Sequence, residues 1–187
     1  MRQPFLFTLA ALLFGLFSNA PTSLAQPAGF QLFGHRDFEM DGIQQQDGKA
    51  MRLRYLAARR ILRMEMLDGS GQALLINFAQ GDMLLLIADG QRGVFGRRDA
   101  AISSQRVVPA DATRDIAGEK CREASINGSP ACIADDGVPL MLAGPQGEFV
   151  AQRVLRQPQS PALFTFAKEI KVQPLPGYNG PLPAAPF

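Results

Sequence analysis

Recurrent turn signals constrain the fold of this chain more than any other feature of its sequence. Short apolar segments alternate with turn segments rich in Gly, Asp and Ser, at intervals of roughly ten residues. The segments expected to be strands are 51–55, 60–66, 72–78, 83–88 and 94–95. Connections this short favour pairing of neighbouring strands in sequence order. The sequence therefore predicts an antiparallel meander.

The second half of the chain continues the β pattern. A less regular stretch, 97–114, precedes a hairpin that contains both cysteines, and two further strands are expected at 138–142 and 148–155. Near the end, Ser160 and Pro161 form a helix start signal. The apolar residues on one face of the predicted helix are Leu163, Phe166, Ala167 and Ile170. The predicted fold class is mainly β, of α+β type.

Cys121 and Cys132 flank a turn signal at Asn127-Gly128. If the loop comprises 125–128, the two cysteines lie directly opposite each other. If only Asn127 and Gly128 turn, the cysteines lie diagonally on the same face. Both arrangements keep them near bridging range. In an exported protein such a pair forms a structural disulfide.

The N-terminal residues, 1–25, have the pattern of a secretory signal peptide. Arg2 supplies the positive start, 5–17 is an apolar run, and Ala25 ends a small-residue site, which predicts cleavage after Ala25. The run is shorter than the ~20 residues that a membrane-spanning helix needs. We therefore expect a periplasmic or secreted protein with no transmembrane segment in the mature chain.

Behind the signal peptide we expect a single β-rich domain, 26–172. The remaining residues, 173–187, are rich in proline, and this composition predicts an extended, disordered tail of polyproline type.

Composition and motifs exclude several function classes. The chain has 19 Lys and Arg against 17 Asp and Glu, a net charge of +2, which gives no electrostatic case for nucleic acid as a partner. With two cysteines and one histidine, His35, a Cys₄ or Cys₂His₂ zinc site cannot be built. Known catalytic and phosphate-binding motifs do not occur. We expect no catalytic residue, metal or cofactor, a surface position for His35, and a turn rather than a calcium loop at 135–137.

A run of basic residues has two interpretations. Its members are Lys49, Arg52, Arg54, Arg59, Arg60 and Arg63. Either this surface meets anionic lipid headgroups or an acidic partner, or it is a solvated outer face balanced by acids elsewhere. Together with the tail, it is the contact surface of one candidate function, a protein-interaction or envelope-sensing module that binds an envelope protein and no small molecule.

Two of the expected strands are apolar on both faces. Neither alternate set of residues is polar in 83–87, and 74–76 is similar, whereas a sheet with one solvated face alternates cleanly. Both faces must therefore be covered. Either the sheet packs under its own fold-over on one side and under a helix on the other, or it curves and its inner face lines a ligand cavity.

Five segments resemble an uncharacterised family of exported bacterial proteins. They are 59–65, 115–121, 131–140, 149–151 and 161–164, which include a G-x-x-C motif, a second cysteine and a D-G-V-P-L run. Domains of this family are similar in layout to the lipoprotein-localisation (LolA/LolB-like) fold, an incomplete antiparallel barrel whose helices close an apolar cavity. The resemblance implies a strongly bent antiparallel sheet or half-barrel with one or two short helices.

The resemblance and the apolar strands together lead to the main functional hypothesis. It is non-catalytic, periplasmic binding of an apolar or acyl-bearing ligand, such as a lipid. Which alternating set of residues lines the cavity, and which packs the core, stays open at this level. The candidate ligand-binding residues, with the methionines as adaptable wall residues, are Met64, Met66, Leu74, Ile76, Leu85 and Ile87.

Overall fold

The computed structural model describes residues 32–87, 92–97, 106–144, 147–166, 170–180 and 182. Within these residues, twelve strands form one sheet, which confirms the mainly β class. The strands are β1 (Phe38–Gln44), β2 (Lys49–Leu56), β3 (Ile61–Met66), β4 (Ala73–Asn77), β5 (Asp82–Ile87), β6 (Arg92–Arg97), β7 (Val107–Ile116), β8 (Glu119–Ile126), β9 (Ser129–Ala134), β10 (Pro139–Gly144), β11 (Gly147–Leu155) and β12 (Lys171–Pro174). The predicted signal peptide, 1–25, lies outside the described residues.

Two meanders build the sheet. The strand order is β12-β6-β5-β4-β3-β2-β1-β11-β10-β9-β8-β7, and neighbours are antiparallel except for the parallel pair of β12 and β6. Strands β1–β6 and β7–β11 pair in sequence order, as short connections favour. The pairing of β1 with β11 joins the two meanders.

The sheet is strongly curved, and Phe33 shows by how much. Its backbone N–H donates to the carbonyl oxygen of Gly137, just before β10, at 2.8 Å. Its ring centroid lies 5.0 Å from that of Phe78, just after β4. In a flat sheet, the five steps from β4 to β10 would separate these strands by roughly 24 Å. Curvature brings both within reach of one side chain, and we call the face that holds Phe33 the inner face.

Residues of both meanders pack against one another on the inner face. Met40, Leu53 and Leu74 from the first meander share one buried cluster with Leu140 and Phe149 from the second. Burying this apolar surface, at about 25 cal/mol per Å², is the main favourable contribution to folding. The curved sheet thus encloses its own core.

The predicted helix at 160–170 is wrong where the structure describes it. Helical structure there is one 3-10 turn, Pro161–Phe164, Ser160 makes no side-chain cap hydrogen bond, and Thr165 is extended. Phe164 is fully buried on the outer face of the sheet. Tertiary packing of this ring overrides the local helix signal. The only other helical element among the described residues is the 3-10 turn Ala57–Arg59, so the prediction of one or two short helices is only partly confirmed.

The predicted disordered tail needs a correction at its start. Gln173 and Pro174 belong to β12, which pairs with β6. The next N–H, of Leu175, donates to the carbonyl oxygen of Phe95 at 2.6 Å, and the Tyr178 ring packs on that of Phe95 at 5.3 Å. Proline is tolerated here because β12 is an edge strand, where a missing donor costs the ladder little. Residues 181 and 183–187 lie outside the described part.

The β8–β9 hairpin confirms the predicted disulfide. Cys121 and Cys132 are bonded, with their Cα atoms 5.4 Å apart. Ile126 pairs with Ser129, so the loop has two residues. Both loop residues have positive φ, 50° at Asn127 and 90° at Gly128, as the type I′ turn of a two-residue hairpin requires. The cysteines therefore lie diagonally, which is the second of the two arrangements considered above.

Candidate ligand-binding face

All six candidate ligand-binding residues lie on the inner face. Met64 pairs with Leu74, and Leu74 pairs with Leu85. Ile76 and Ile87 follow on the same face of β4 and β5, since side chains two residues apart point to the same side of a strand. Met66 is placed in the same way on β3. The structure thus resolves which alternating set faces inward.

The six residues differ in accessibility. Met64, Leu74 and Ile76 are buried, with at most 5% of their surface exposed. Met66, Leu85 and Ile87 are half-buried. Val94 pairs with Leu85 and is half-buried as well, although the sequence pattern did not single it out because glycines flank it. We call Met66, Leu85, Ile87 and Val94 the inner strip.

Two cations mark the end of the inner strip. Arg92 pairs with Ile87, and Lys171 pairs with Arg92, so all three side chains are on the inner face. Both cations are exposed. An accessible apolar strip that ends in positive charge is suited to a molecule with an apolar chain and an anionic end.

An aromatic group fills the opposite end of the inner face. Its members, which we call the aromatic end, are Phe33, Phe38, Tyr55 and Phe78. Ring centroids lie 5.4 Å apart for Phe33 and Tyr55, 5.0 Å for Phe33 and Phe78, and 5.6 Å for Phe38 and Tyr55. Burial raises the pKa of the Tyr55 hydroxyl above its ordinary value. Separations of this size are typical of favourable aromatic pairs.

The outer face opposite these strands has its own cover. The outer cluster comprises Leu56, Ile61, Ala73, Leu75, Leu84, Leu86, Phe95 and Phe164. Phe166, Ile170, Val172 and Tyr178 of the C-terminal segment pack against it. A Cβ at Gly93 would lie 3.5 Å from side chains of both Ile170 and Val172, so the glycine permits the close approach that its strand context suggests. Strands β4 and β5 are apolar on both faces because each face is packed.

The basic run belongs to an ion-pair network on the outer face. We call this network the outer ladder; it comprises Glu39, Asp41, Arg52, Arg54, Arg63, Glu65 and Arg153. Arg52 and Asp41 lie 2.6 Å apart, Arg54 and Glu39 2.8 Å, and Arg63 and Glu65 2.7 Å. The hydrogen bond from Arg52 is the main reason why the pKa of Asp41 is lowered. The outer ladder therefore fits the solvated face balanced by acids better than a free basic surface.

Arg156 holds the loops at the far end of the sheet. Its guanidinium donates to Glu119, with N–O distances of 2.7 and 2.6 Å, and pairs with Asp136. Burial raises the pKa of Asp136, but the hydrogen bond from Arg156 outweighs it, so that the net pKa is lowered. Asp136 is thus bound within the protein at the turn predicted there. His35 is exposed.

Two further searches concern only the part of the chain that the structure describes. No group of three His, Cys, Asp or Glu side chains there is arranged to hold a metal ion. Among the same residues, no helix is long and apolar enough to cross a membrane.

Comparison with known proteins finds likeness in structure but not in sequence. No family model matches the chain, and no curated protein matches it. An uncharacterized conserved protein from Thermus thermophilus superposes with a TM-score of 0.55 at 12% identity, over 75% of this chain and 91% of that chain. PNGF-II superposes with a TM-score of 0.52 at 13% identity over 76% of this chain. These identities show a shared fold and nothing finer.

Coverage differs between these neighbours. The chain spans only 32% of the length of PNGF-II. The crystal structure of MucB in complex with MucA(peri) superposes over 89% of this chain and 61% of that chain at 12% identity, with a TM-score of 0.44. A score this low carries no argument about this protein.

Proposed function

We propose that this protein is a non-catalytic, periplasmic binding or carrier protein for an acyl-bearing ligand, built as a half-barrel of the lipoprotein-localisation type. The observation that carries the proposal is the inner strip. Four half-buried apolar side chains adjoin the buried core on the inner face of a curved sheet. Concave, mostly apolar surfaces with a few placed polar groups are the usual form of small-molecule sites.

The chemistry of the strip favours a flexible aliphatic chain. Met66 offers an unbranched, polarizable side chain that adapts to the shape of its neighbour, and Leu85, Ile87 and Val94 are aliphatic. Exposed Arg92 and Lys171 at the end of the strip suit a carboxylate or phosphate headgroup. A fatty acid or an acyl chain with an anionic head therefore fits this surface.

The alternative function, a protein-interaction or envelope-sensing module, loses support at both of its expected contact surfaces. The arginines of the outer ladder are ion-paired within the protein. The tail contributes β12 to the sheet and Tyr178 to the outer cluster. A periplasmic location agrees with the Cys121–Cys132 disulfide, because disulfides persist in oxidising compartments.

Titration with a fluorescent fatty acid tests the proposal. We expect Leu85→Gln to weaken binding about tenfold with little change in melting temperature, since this side chain is half-buried and an amide there stays solvated. The matched control is Leu86→Gln, on the next position and the opposite face. It should lower the melting temperature and leave the affinity of the folded protein unchanged. The proposal is wrong if the wild type binds no probe, or if Leu85→Gln binds as tightly as the wild type.

A further inference from the structure

Phe33 has an unusual backbone for its residue type. Its φ is +68°, in the left-handed region that bulky residues rarely adopt and that costs of order 1–3 kcal/mol. The side chain is nevertheless buried, with 6% exposed. Strain of this kind persists only where surrounding contacts hold it, and it is concentrated at functional sites.

Contacts on both sides hold the segment. The Phe33 N–H donates to Gly137 at 2.8 Å, and the ring lies against Tyr55 and Phe78. Gly34, with a φ of +62°, sits so close to the Asp136 carbonyl that a Cβ would lie 2.0 Å from its oxygen. The segment lies before β1 and outside the sheet, so its release would break no strand pairing.

A continuous apolar path connects this ring to the inner strip. Leu74, Ile76 and Phe78 are successive inner-face residues along β4 and its end. The path from Leu74 to Phe78 is about 13 Å long, at about 3.3 Å per residue. Leu74 pairs with Leu85 of the inner strip. An acyl chain that enters at the strip and follows β4 therefore meets the Phe33 ring.

We infer that Phe33 is an internal plug: it occupies the deep end of the acyl site and leaves when a long chain binds. This inference rests on the proposed function. The ring stands where the end of the chain would pack against Tyr55 and Phe78, and release of the segment relieves the strained backbone. The ligand class follows from the same geometry. A short chain occupies the inner strip alone, and a long chain must displace the plug.

The test compares fluorescent fatty acids of octanoyl and palmitoyl length. Phe33→Ala should bind the palmitoyl-length probe about tenfold more tightly than the wild type, because a site that is open only part of the time binds with reduced apparent affinity. Binding of the octanoyl-length probe should change little. Gly34→Ala keeps the ring but forces the segment off Asp136, so it should give the same selective gain. Phe33→Leu is the milder variant if Phe33→Ala does not fold.

The matched control is Phe164→Ala. This ring is also fully buried, but on the outer face, so its removal should destabilise the protein without tightening binding of either probe. If the folded Phe33 variants bind the long probe no more tightly than the wild type, while Leu85→Gln still weakens binding, the plug is disproved and the proposed function stands. If no protein binds either probe, both fail.

Discussion

Gly42 of β1 lies directly against the ring of Phe149 of β11. A Cβ built at Gly42 would be 2.3 Å from Cζ of Phe149 and 2.5 Å from the carbonyl oxygen of Val150. Glycine is needed at this position because the ring and the backbone of the neighbouring strand already occupy the space of a side chain. The contact lies where β1 and β11 join the two meanders.

Gly42→Ala should therefore destabilise the protein by about 1–3 kcal/mol, the usual cost of overpacking a core. Urea unfolding measures the change. The double variant Gly42→Ala with Phe149→Leu should show coupling, since the shorter side chain relieves part of the clash. Strictly additive free energies in this double-mutant cycle would contradict the steric explanation.

Two truncations test the role of the C-terminal segment. A chain ending at Ile170 lacks β12 and Tyr178, which exposes Phe95 and the edge of β6, and we expect a loss of at least about 2 kcal/mol. A chain ending at Gly180 keeps these contacts and should unfold like the full-length protein. Thermal unfolding of both distinguishes a packed segment from a dispensable tail. Equal stability of the two truncated chains would show that β12 contributes nothing.

The outer ladder makes stability depend on pH. Arg52 holds the pKa of Asp41 below its ordinary value of 3.8 in the folded protein. A lowered folded pKa stabilises the fold above the unfolded pKa, and this contribution is lost as the pH falls through the folded value. Asp41→Asn should therefore reduce the loss of stability between about pH 5 and pH 2. Urea unfolding across this range is the measurement. The exposed Asp111 gives the control: if Asp111→Asn flattens the profile equally, the ion pair is not the cause.

Removing the disulfide separates structure from binding. The variant with Cys121→Ala and Cys132→Ala should lose about 2–4 kcal/mol and keep its affinity for the fatty acid probe, because neither cysteine belongs to the inner strip. A reducing agent should destabilise the wild type by a similar amount and leave the double variant unchanged. A loss of probe binding in the folded double variant would assign the hairpin a part in the site.

Local patterns predicted the centre of the fold well. Turn residues and alternation identified β2 to β5, because each of these strands pairs with a neighbour in sequence and packs at least one regular apolar face. The same alternation placed Leu74, Ile76, Leu85 and Ile87 on one face. The two-residue turn at Asn127-Gly128 was one of two options considered, and pairing with β7 through Arg106 now accompanies it.

Other elements depend on contacts that are distant in sequence. Strand β7 was missed because Val108 to Asp115 are exposed on both faces, which leaves no apolar alternation to detect. The helix signal after Ser160 was misleading because the outer cluster, not the local sequence, determines where Phe164 lies. The aromatic end escaped notice because nothing in a phenylalanine's neighbourhood predicts the left-handed backbone of Phe33. Such features become visible only when the sheet has curved.

The pairing of β1 with β11 also bears on how the chain assembles. Each meander is made of hairpins that close short loops, whereas joining β1 to β11 brings together residues from opposite ends of the domain, such as Glu39 and Leu155. Contacts of high sequence separation slow folding, since their loop entropy must be lost before they stabilise anything. We therefore expect this pairing to form in the rate-limiting step. Two separately produced fragments, divided between β6 and β7, should recognise each other through the same pair of strands.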